Sequence, residues 1–393
     1  MASRLNAAIV GIGCTDYSKA SGRSTLQLAV EACQAAMRDA GLGTGDVDGV
    51  FTHAIGDADC PEAVATALGL KETRFVLDLY AGGIVQCSMT QLAANLVTTG
   101  ACRNIVLYRA LNGRSSLRIG GAEGDFMYKL RGVASPYRYP YGQISYGQNM
   151  ALWARRHMEV FGTREEHLGA IAVNQRANAV LNERAMQRTP ITIDDYMNAR
   201  RIATPFRVYD MCLESDGACA IVVSAADRAA DGPRPPVYIH AAQFWGRHQG
   251  GDWADPYTWP DLTENFTTYL SPRLYAEAGI SAADVDIAEI YDCFTHTVLL
   301  GLEGLGFCRK GEGGAFAASG AIARGGRIPV NTGGGMLSEA YIHGWNPIYE
   351  AVEQLRGEAG AHQVAKVPKV AVVTSGATTE GSAMVLSTEK ALA

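Results

Sequence analysis

The stretch AGLGTGDVD at residues 40–48 returns later in the chain as AGISAADVD at residues 278–286. Both begin with Ala-Gly and end with Asp-Val-Asp. Each follows a segment with helical periodicity and precedes a short apolar segment, so each marks a passage from a helix to a strand. The glycine after each helix is a common helix stop. A transition that recurs with its flanking pattern predicts that the chain contains two copies of one α/β unit.

Later segments fit the same reading. The apolar runs NIVLYRA (104–110) and KVAVVTSGA (369–377) each follow a helical stretch in their own copy. The pattern therefore predicts an α/β fold made of two duplicated halves, in which helices cover the sheets. Proline and glycine interrupt the periodicity at AADGPRPP (229–236), so we place the halves at 1–232 and 233–393. An irregular region at about 111–165 reads as an insertion in the first half.

Composition and charge narrow the class of protein. A net charge of -6 over 393 residues and the lack of a basic run argue against a nucleic-acid partner. No apolar stretch approaches the length of a membrane helix, so no membrane partner is expected. The start MASRLNAAIVGIG reads as a first strand, and the nine cysteines form no zinc-binding pattern. We therefore expect a cytoplasmic protein without a structural metal.

The inserted region has an unusual composition. RGVASPYRYPYGQISYGQ (131–148) is rich in tyrosine and arginine, and GGDWADPYTWPDL (250–262) is a second irregular stretch. These aromatic residues either pack on the scaffold or form a pocket wall that stacks on a flat apolar substrate. The neighbouring segment RALNGRSSLR (109–118) contains three arginines, Arg109, Arg114 and Arg118. Their guanidinium groups bind either the phosphates of coenzyme A or a partner surface.

A glycine loop draws attention to one tyrosine. In NTGGGMLSEAYIHG (331–344), three adjacent glycines let the backbone pass close to a ligand, and Tyr341 follows shortly after them. A single tyrosine is most often a core or rim residue. Tyr341 therefore needs a second observation before it counts as a reactive group.

Several motifs together resemble the thiolase superfamily, especially its sterol-carrier-protein type. They are EIYDCF (289–294), GLGFCRKGEGG (304–314), the glycine loop 331–344, DMCLESDGACAIVVS (210–224) and SGATTEGSAMVLS (375–387). The resemblance covers nearly the whole chain and preserves the order of the motifs. It implies a thiolase-like fold with a layered α-β-α-β-α core.

The catalytic positions of that family differ here. The resemblance puts Gly83 where a thiolase has its nucleophilic cysteine, and Ser375 where it has its second cysteine. It puts Tyr291 and Tyr341 at two further catalytic positions, of which the second is normally a histidine. Without the cysteine no acyl-enzyme can form, but a tyrosine pair resembles the thiolase-like aldolases of bacterial steroid side-chain degradation.

That resemblance implies a retro-aldol reaction. The substrate would be a β-hydroxyacyl-CoA, such as a steroid side-chain thioester with a tertiary ring hydroxyl, giving a ring ketone and a short acyl-CoA such as propionyl-CoA. Tyr291 and Tyr341 would be base and acid, in an order that the sequence leaves open. Candidates for binding the substrate or its oxyanion, directly or through these tyrosines, are Gly83, Asp292, His296, His343, Ser375 and Gly376.

Two other functions remain open at this point. One is a thiolase with a relocated nucleophile, Cys87 or Cys293, and the other is a non-catalytic acyl-CoA or sterol carrier. The resemblance also implies partners: a homodimer core, completed to a heterotetramer by a small protein with an OB-fold and a zinc ribbon. No metal or redox cofactor is implied, and coenzyme A enters only as part of the substrate.

Overall fold

The computed structural model describes residues 5–116, 118, 138–143, 145–246 and 259–392. The strands are β1 Ala7–Cys14, β2 Gly49–Ala54, β3 Phe75–Tyr80, β4 Asn104–Asn112, β5 Arg201–Ala203, β6 Phe206–Arg207, β7 Asp216–Ala225, β8 Val237–Gly246, β9 Ile287–Glu289, β10 Val370–Ser375 and β11 Glu380–Ser387. The helices are α1 Thr25–Asp39, α2 Pro61–Leu68, α3 Gln86–Thr98, α4 Tyr146–Phe161, α5 Glu165–Leu181, α6 Ile193–Asn198, α7 Ala226–Ala229, α8 Phe266–Ala278, α9 Thr295–Gly304, α10 Gly313–Ala318, α11 Gly335–Ser338 and α12 Trp345–Arg356.

The order of the strands repeats across the centre of one sheet. Nine strands are hydrogen-bonded in the order β3-β2-β4-β7-β1-β8-β11-β10-β9. Outward from the centre, the first half runs β1, β7, β4, β2 and the second runs β8, β11, β10, β9. In each half the first two pairings are antiparallel and the third is parallel. The duplicated α/β fold predicted from the sequence is confirmed.

The repeated sequence stretches occupy equivalent places in the two halves. Helix α1 begins with a capping box at Ser24 and ends at the first stretch, and helix α8 ends at the second. Gly41 and Gly279, which follow these helices, have φ angles of 68° and 74°. A residue without a Cβ atom adopts this left-handed conformation without strain, which is why a glycine ends each helix.

Two helices form the middle layer between the halves. Helix α3 packs on strands of both halves, including β7 and β8, and so does α12, which contacts β7 and β10. Both helices pack into the same apolar cluster, to which α3 contributes Met89 and α12 contributes Ile348. Helices α1 and α8 cover the outer faces. The result is the layered core that the resemblance implies.

The segment between β4 and β7 carries α4, α5, α6 and the two-stranded β5–β6 ribbon. The region at about 111–165 that the sequence marks as an insertion falls in its first part. The predicted boundary at residues 232 and 233 falls between α7 and β8, and the division into two domains stays a prediction. Within the described residues, none of the helices combines the length and the apolar character needed to cross a bilayer.

Candidate active site

The glycine loop is fastened to the segment that carries Tyr291. The carboxylate of Asp292 accepts hydrogen bonds from the backbone N–H groups of Met336, at 2.8 Å, and Leu337, at 3.1 Å. The side chain of Asn331 bonds both the N–H and the carbonyl of Ile290, at 2.7 and 2.9 Å. These bonds hold residues 290–292 beside residues 331–337, so Asp292 holds the loop in place. Burial raises the pKa of Asp292 to about 7.

The two predicted catalytic tyrosines meet at their hydroxyl groups. The Oη atoms of Tyr291 and Tyr341 lie 3.1 Å apart, within hydrogen-bond distance. Tyr291 is buried, whereas Tyr341 is half-buried. Burial, followed by the neighbouring Tyr341, raises the pKa of Tyr291 well above its ordinary value. Residues that are 50 positions apart in sequence therefore form one hydrogen-bonded pair of phenols.

Side chains from other elements hold the backbone at each tyrosine. The N–H of Tyr291 donates to Thr374 Oγ1 and its carbonyl accepts from Thr297 Oγ1, both at 2.9 Å. The N–H of Tyr341 donates to Ser215 Oγ at 3.0 Å. These three hydroxyl-bearing residues have no signal in the sequence, because single serines and threonines are common. The partners of Thr374 and Ser215 also lie far away in the chain.

The Gly83 loop approaches Tyr291 from the first half of the molecule. Gly83 lies between β3 and α3, with its backbone against the tip of the Tyr291 ring. Among the described residues, neither its N–H nor that of Gly376 has a hydrogen-bond partner. Ser382 Oγ, which lies on β11 just beyond Gly376, donates to the carbonyl of Ile84 at 2.7 Å. The two predicted oxyanion loops are therefore tied together.

Ser375 points toward a cysteine rather than toward the phenols. Its Oγ lies 3.5 Å from the Sγ of Cys87, and both residues are fully buried. Burial raises the pKa of the Cys87 thiol to about 12. Burial also raises the pKa of Cys293, the other alternative nucleophile, well above its ordinary value. Neither thiol is available as a thiolate near neutral pH.

His343 lies beside the pair and is kept neutral. Arg109 Nη2 and Nε lie 3.3 and 3.4 Å from its Nδ1, and its ring centroid lies 5.3 Å from that of Tyr341. Burial, followed by the charge of Arg109, lowers the pKa of His343 to about 3. A guanidinium group can only donate, so Nδ1 must accept. The neutral ring of His343 therefore carries its proton on Nε2.

The prediction that Arg109 binds the phosphates of coenzyme A does not fit its position. The side chain is fully buried, and its Nη2 contacts both carboxylate oxygens of Asp57, at 2.6 and 2.5 Å. A guanidinium held between a carboxylate and His343 is not free to bind a phosphate. Arg109 instead orients His343, a role that depends on a carboxylate more than 50 residues away in the sequence.

The other two arginines lie on the outer part of the first half. The backbone N–H of Arg114 donates to Asp216 Oδ1 at 3.0 Å, and its side chain is half-buried. The Nε of Arg118 lies 2.5 Å from a carboxylate oxygen of Glu214. Both keep their guanidinium groups near the surface, so the coenzyme A prediction stays open for them.

None of the described contacts joins His296, or an aromatic residue of the segments 131–148 and 250–262, to the phenol of Tyr291 or Tyr341. His296 is buried, its ring lies 5.7 Å from that of His157, and neither ring nitrogen has a hydrogen-bond partner among the described residues. Tyr137 and residues 250–258 lie outside the described residues, as does the side chain of Tyr139. Tyr141 is exposed, and the ring of Tyr146 lies 5.9 Å from that of Phe294.

Two residues of the first half that the sequence analysis did not select support the site. His53 donates from Nδ1 to the carbonyl of Ala81, two residues before Gly83, at 3.0 Å. Its Nε2 accepts from Gln86 Nε2, also at 3.0 Å, and Gln86 Nε2 contacts the carbonyl of His343 as well. A histidine inside the apolar run GVFTHAIG was the available signal, since a buried polar group needs partners.

A cluster of buried carboxylates lies behind the glycine loop. Thr332 Oγ1 lies within hydrogen-bond distance of a carboxyl oxygen of Glu289, at 2.9 Å, and of one of Glu350, at 2.7 Å. Burial raises the pKa of Glu289 well above its ordinary value. In the described part of the chain, Glu350, Glu353 and His362 are close enough together to hold a metal ion. Arg184 already pairs with Glu353 at 2.6 Å. The expectation of no structural metal stays a prediction.

Comparisons with known proteins show which chains this one is similar to. The profile described as "Thiolase C-terminal domain-like" matches residues 254–388. A "17-hydroxy-3-oxo-4-pregnene-20-carboxyl-CoA lyase" of Mycobacterium tuberculosis is 44% identical over 97% of this chain and 98% of its own length. A "Steroid side-chain-cleaving aldolase" of Thermomonospora curvata is 39% identical, covering 98% of both chains. The solved structure "Ltp2-ChsH2(DUF35) aldolase" superposes with a TM-score of 0.89, at 39% identity and 98% coverage of both chains.

Proposed function

The chain belongs to the thiolase superfamily, in the branch of the steroid side-chain-cleaving aldolases, and from that membership we propose that it cleaves a β-hydroxyacyl-CoA by a retro-aldol reaction. The substrate we propose is a steroid side-chain thioester with a tertiary hydroxyl on the ring. The products are a ring ketone and a short acyl-CoA such as propionyl-CoA. The relative named as a lyase carries a steroid carboxyl-CoA with a hydroxyl group in its name, which supports this substrate class.

The observation that carries the proposal is the contact between the two phenols. Retro-aldol cleavage removes a proton from the β-hydroxyl, breaks the bond between the α and β carbons, and leaves the electron pair on the thioester enolate. A proton must then reach the α carbon. Two hydroxyl groups 3.1 Å apart can take up one proton and deliver another without a covalent intermediate.

The raised pKa of Tyr291 defines how the pair works. A phenolate is scarce near neutral pH, so a tyrosine cannot start the reaction as a charged base. We propose a relay instead: as one phenol accepts the hydroxyl proton, it passes its own proton to the other, which protonates the α carbon. Positioned acid and base groups contribute rate factors on the order of 10²–10⁴. No net charge forms on the pair of phenols.

Donors near the pair support the proposed enolate site. The N–H groups of Gly83 and Gly376 have no partner among the described residues, and the two loops are tied together through Ser382. Preorganised donors of this kind stabilise a developing oxyanion by about 3–4 kcal/mol each. The Nε2–H of His343 is a third donor beside Tyr341. The site as proposed contains no metal and no redox cofactor, and coenzyme A is part of the substrate.

The two alternatives have less support. A relocated thiolase nucleophile would have to be Cys87 or Cys293, and both thiols are buried with raised pKa values. A non-catalytic carrier gives no reason for two phenols to face each other beside backbone donors that lack a partner among the described residues. The aldolase uses both features.

We propose a homodimer that works with a small second protein. Strand β3 lies at one edge of the sheet and exposes Phe75 and Tyr80, with relative exposures of 37% and 57%. An open strand edge with apolar side chains is suited to pairing with another chain. The similar solved structure, an "Ltp2-ChsH2(DUF35) aldolase", is named for two proteins, which supports a second protein as partner. That this partner is small and carries a zinc ribbon is what the family resemblance implies.

The direct test is product analysis. The chain, with its zinc-ribbon partner, is incubated with a steroid-ring tertiary β-hydroxyacyl-CoA, and the products are identified by mass spectrometry. We expect the ring ketone and a short acyl-CoA in equal amounts, and a loss of about 100-fold or more in kcat for Tyr291→Phe and for Tyr341→Phe. Tyr238→Phe, a half-buried tyrosine on β8, is the control. Equal turnover by all four proteins would refute the proposal.

A further inference from the structure

The backbone conformation at position 83 does not require a glycine. It lies outside the positive-φ glycines of the chain, so residues with side chains could adopt its backbone angles. A requirement for glycine at this position must therefore come from space. What fills that space is the side chain of Tyr291.

A side chain at position 83 would overlap the reactive end of the tyrosine. A Cβ atom added to Gly83 would lie 2.0 Å from the Oη of Tyr291, 2.6 Å from its Cζ and 2.8 Å from its Cε2. Real Cβ atoms do not approach other heavy atoms within 3.0 Å. Every residue except glycine carries a Cβ atom, so each would overlap the hydroxyl group that the reaction uses.

The tyrosine has little room to move away. Its backbone is held by Thr374 and Thr297, each at 2.9 Å. Gly344 lies along the same edge of the ring, where an added Cβ would be 2.8 Å from Cε2 and 3.0 Å from Cδ2. The hydroxyl group is bonded to Tyr341. A shift that relieved the overlap would break the contact between the phenols.

The loop around Gly83 is held from the other side. The carbonyl of Ala81 accepts a hydrogen bond from His53, and the carbonyl of Ile84 accepts one from Ser382. Both donors are buried. Neither the Tyr291 side chain nor the Gly83 loop can therefore shift without a loss of stability, because close-packed interiors transmit strain rather than absorb it.

We propose that Gly83 is a positioning residue whose missing side chain makes the space for the phenol of Tyr291. A nucleophilic side chain at position 83 and a phenol at position 291 then exclude each other. It follows that Gly83→Cys would not create a thiolase and would remove the aldolase activity. The catalytic part of this inference rests on the proposed function, whereas the steric part does not.

A double-mutant cycle on stability tests the steric part. Gly83→Ala is expected to lower the midpoint of thermal unfolding by several degrees in the natural chain. Tyr291→Leu removes the three overlapping ring atoms, so in that background Gly83→Ala should cost nothing. Gly325→Ala is the matched control, because no atom lies within 4 Å of an added Cβ there and its φ is not positive. Gly325→Ala should leave the midpoint and kcat unchanged.

Turnover tests the catalytic part. Gly83→Ala should lower kcat by about 100-fold or more, as Tyr291→Phe does. An equal loss of stability from Gly83→Ala in both backgrounds would overturn the inference, and so would normal stability with normal turnover. If Tyr291→Phe kept full turnover while the stability cycle showed coupling, the steric inference would stand and the proposed function would fail.

Discussion

The two halves of the molecule share one strand order but contribute different things to the candidate site. In the first half, the loop after β3 contributes Gly83, a residue without a side chain, and a backbone N–H that has no hydrogen-bond partner in the described part of the chain. In the second half, the loop after β9 contributes Tyr291, and the glycine loop contributes Tyr341. One half therefore supplies space and backbone donors, and the other supplies the side chains that can move protons.

The different contributions of the two halves show how a duplicated fold can change its chemistry. The first half also holds the second half's loops in place, because Arg109 contacts the ring of His343 and Gln86 contacts its carbonyl. Position 83 of the first half has no side chain, and the ring of Tyr291 from the second half occupies the space beside it. A change in either half alone would leave a gap or an overlap.

The largest expected effect is the loss of kcat when the two tyrosines of the second half are changed. If Tyr291 and Tyr341 form one relay, the double variant Tyr291→Phe/Tyr341→Phe should lose no more activity than the worse of the single variants. The reason is that the effects of groups that act as a unit are not additive. Each single variant should lose about 10²–10⁴-fold in kcat. Single-turnover kinetics of the four proteins measure this. Losses that multiply would mean that the tyrosines act independently.

A smaller effect is expected at His296 of the second half, where a change in the free energy of unfolding is expected without a change in the reaction. His296 follows Tyr291 by five residues, but its ring is buried without a hydrogen-bond partner among the described residues. We expect His296→Leu to raise the free energy of unfolding by about 1–3 kcal/mol at pH 7, because it removes a buried polar group that lacks a partner. Urea denaturation measures the gain.

The same variant should change the pH dependence of stability. Burial lowers the pKa of His296 well below its ordinary value, so the unfolded chain binds a proton below about pH 6.5 and the folded chain does not. The free energy of unfolding of the natural chain therefore falls as the pH drops below about 6.5. The advantage of His296→Leu should widen between about pH 7 and pH 5. A loss of kcat without a gain in stability would instead assign His296 to the chemistry.

The smallest expected effect concerns the first half. Cys87→Ser keeps a small polar group against Ser375 and should leave kcat close to the natural value, since the proposed reaction uses no thiol. Iodoacetamide should not inactivate the folded protein through Cys87, because the thiol is buried and its pKa is raised to about 12. Intact mass and kcat after treatment measure both points. Inactivation that Cys87→Ser prevents would restore the thiolase alternative.

Much of the architecture was predictable from short motifs. Gly41 and Gly279 mark equivalent helix ends, and the strands that follow them are paired in equivalent order, so a repeat of a few residues was enough to predict the duplication. The predicted positions of Tyr291 and Tyr341 required more, because they come from a resemblance that spans the chain. A single tyrosine carries no such signal.

Other features of the site were not predictable. Arg109 reads as a surface cation in RALNGRSSLR, but it is fully buried between Asp57 and His343. Ser375 reads as a substrate ligand but contacts Cys87. In each case the partner lies far away in the sequence, and burial decides the role of a polar group by deciding which partner it meets.

The duplicated α/β fold and the glycine loop before Tyr341 could be predicted from the amino-acid sequence, because periodicity, helix stops and glycine runs are local properties of the chain. Only the tertiary structure decided that the two hydroxyl groups meet and that Gly83 leaves room for Tyr291. It also decided that His343 is neutral. These properties depend on distances and desolvation between segments from both halves, which no local pattern encodes.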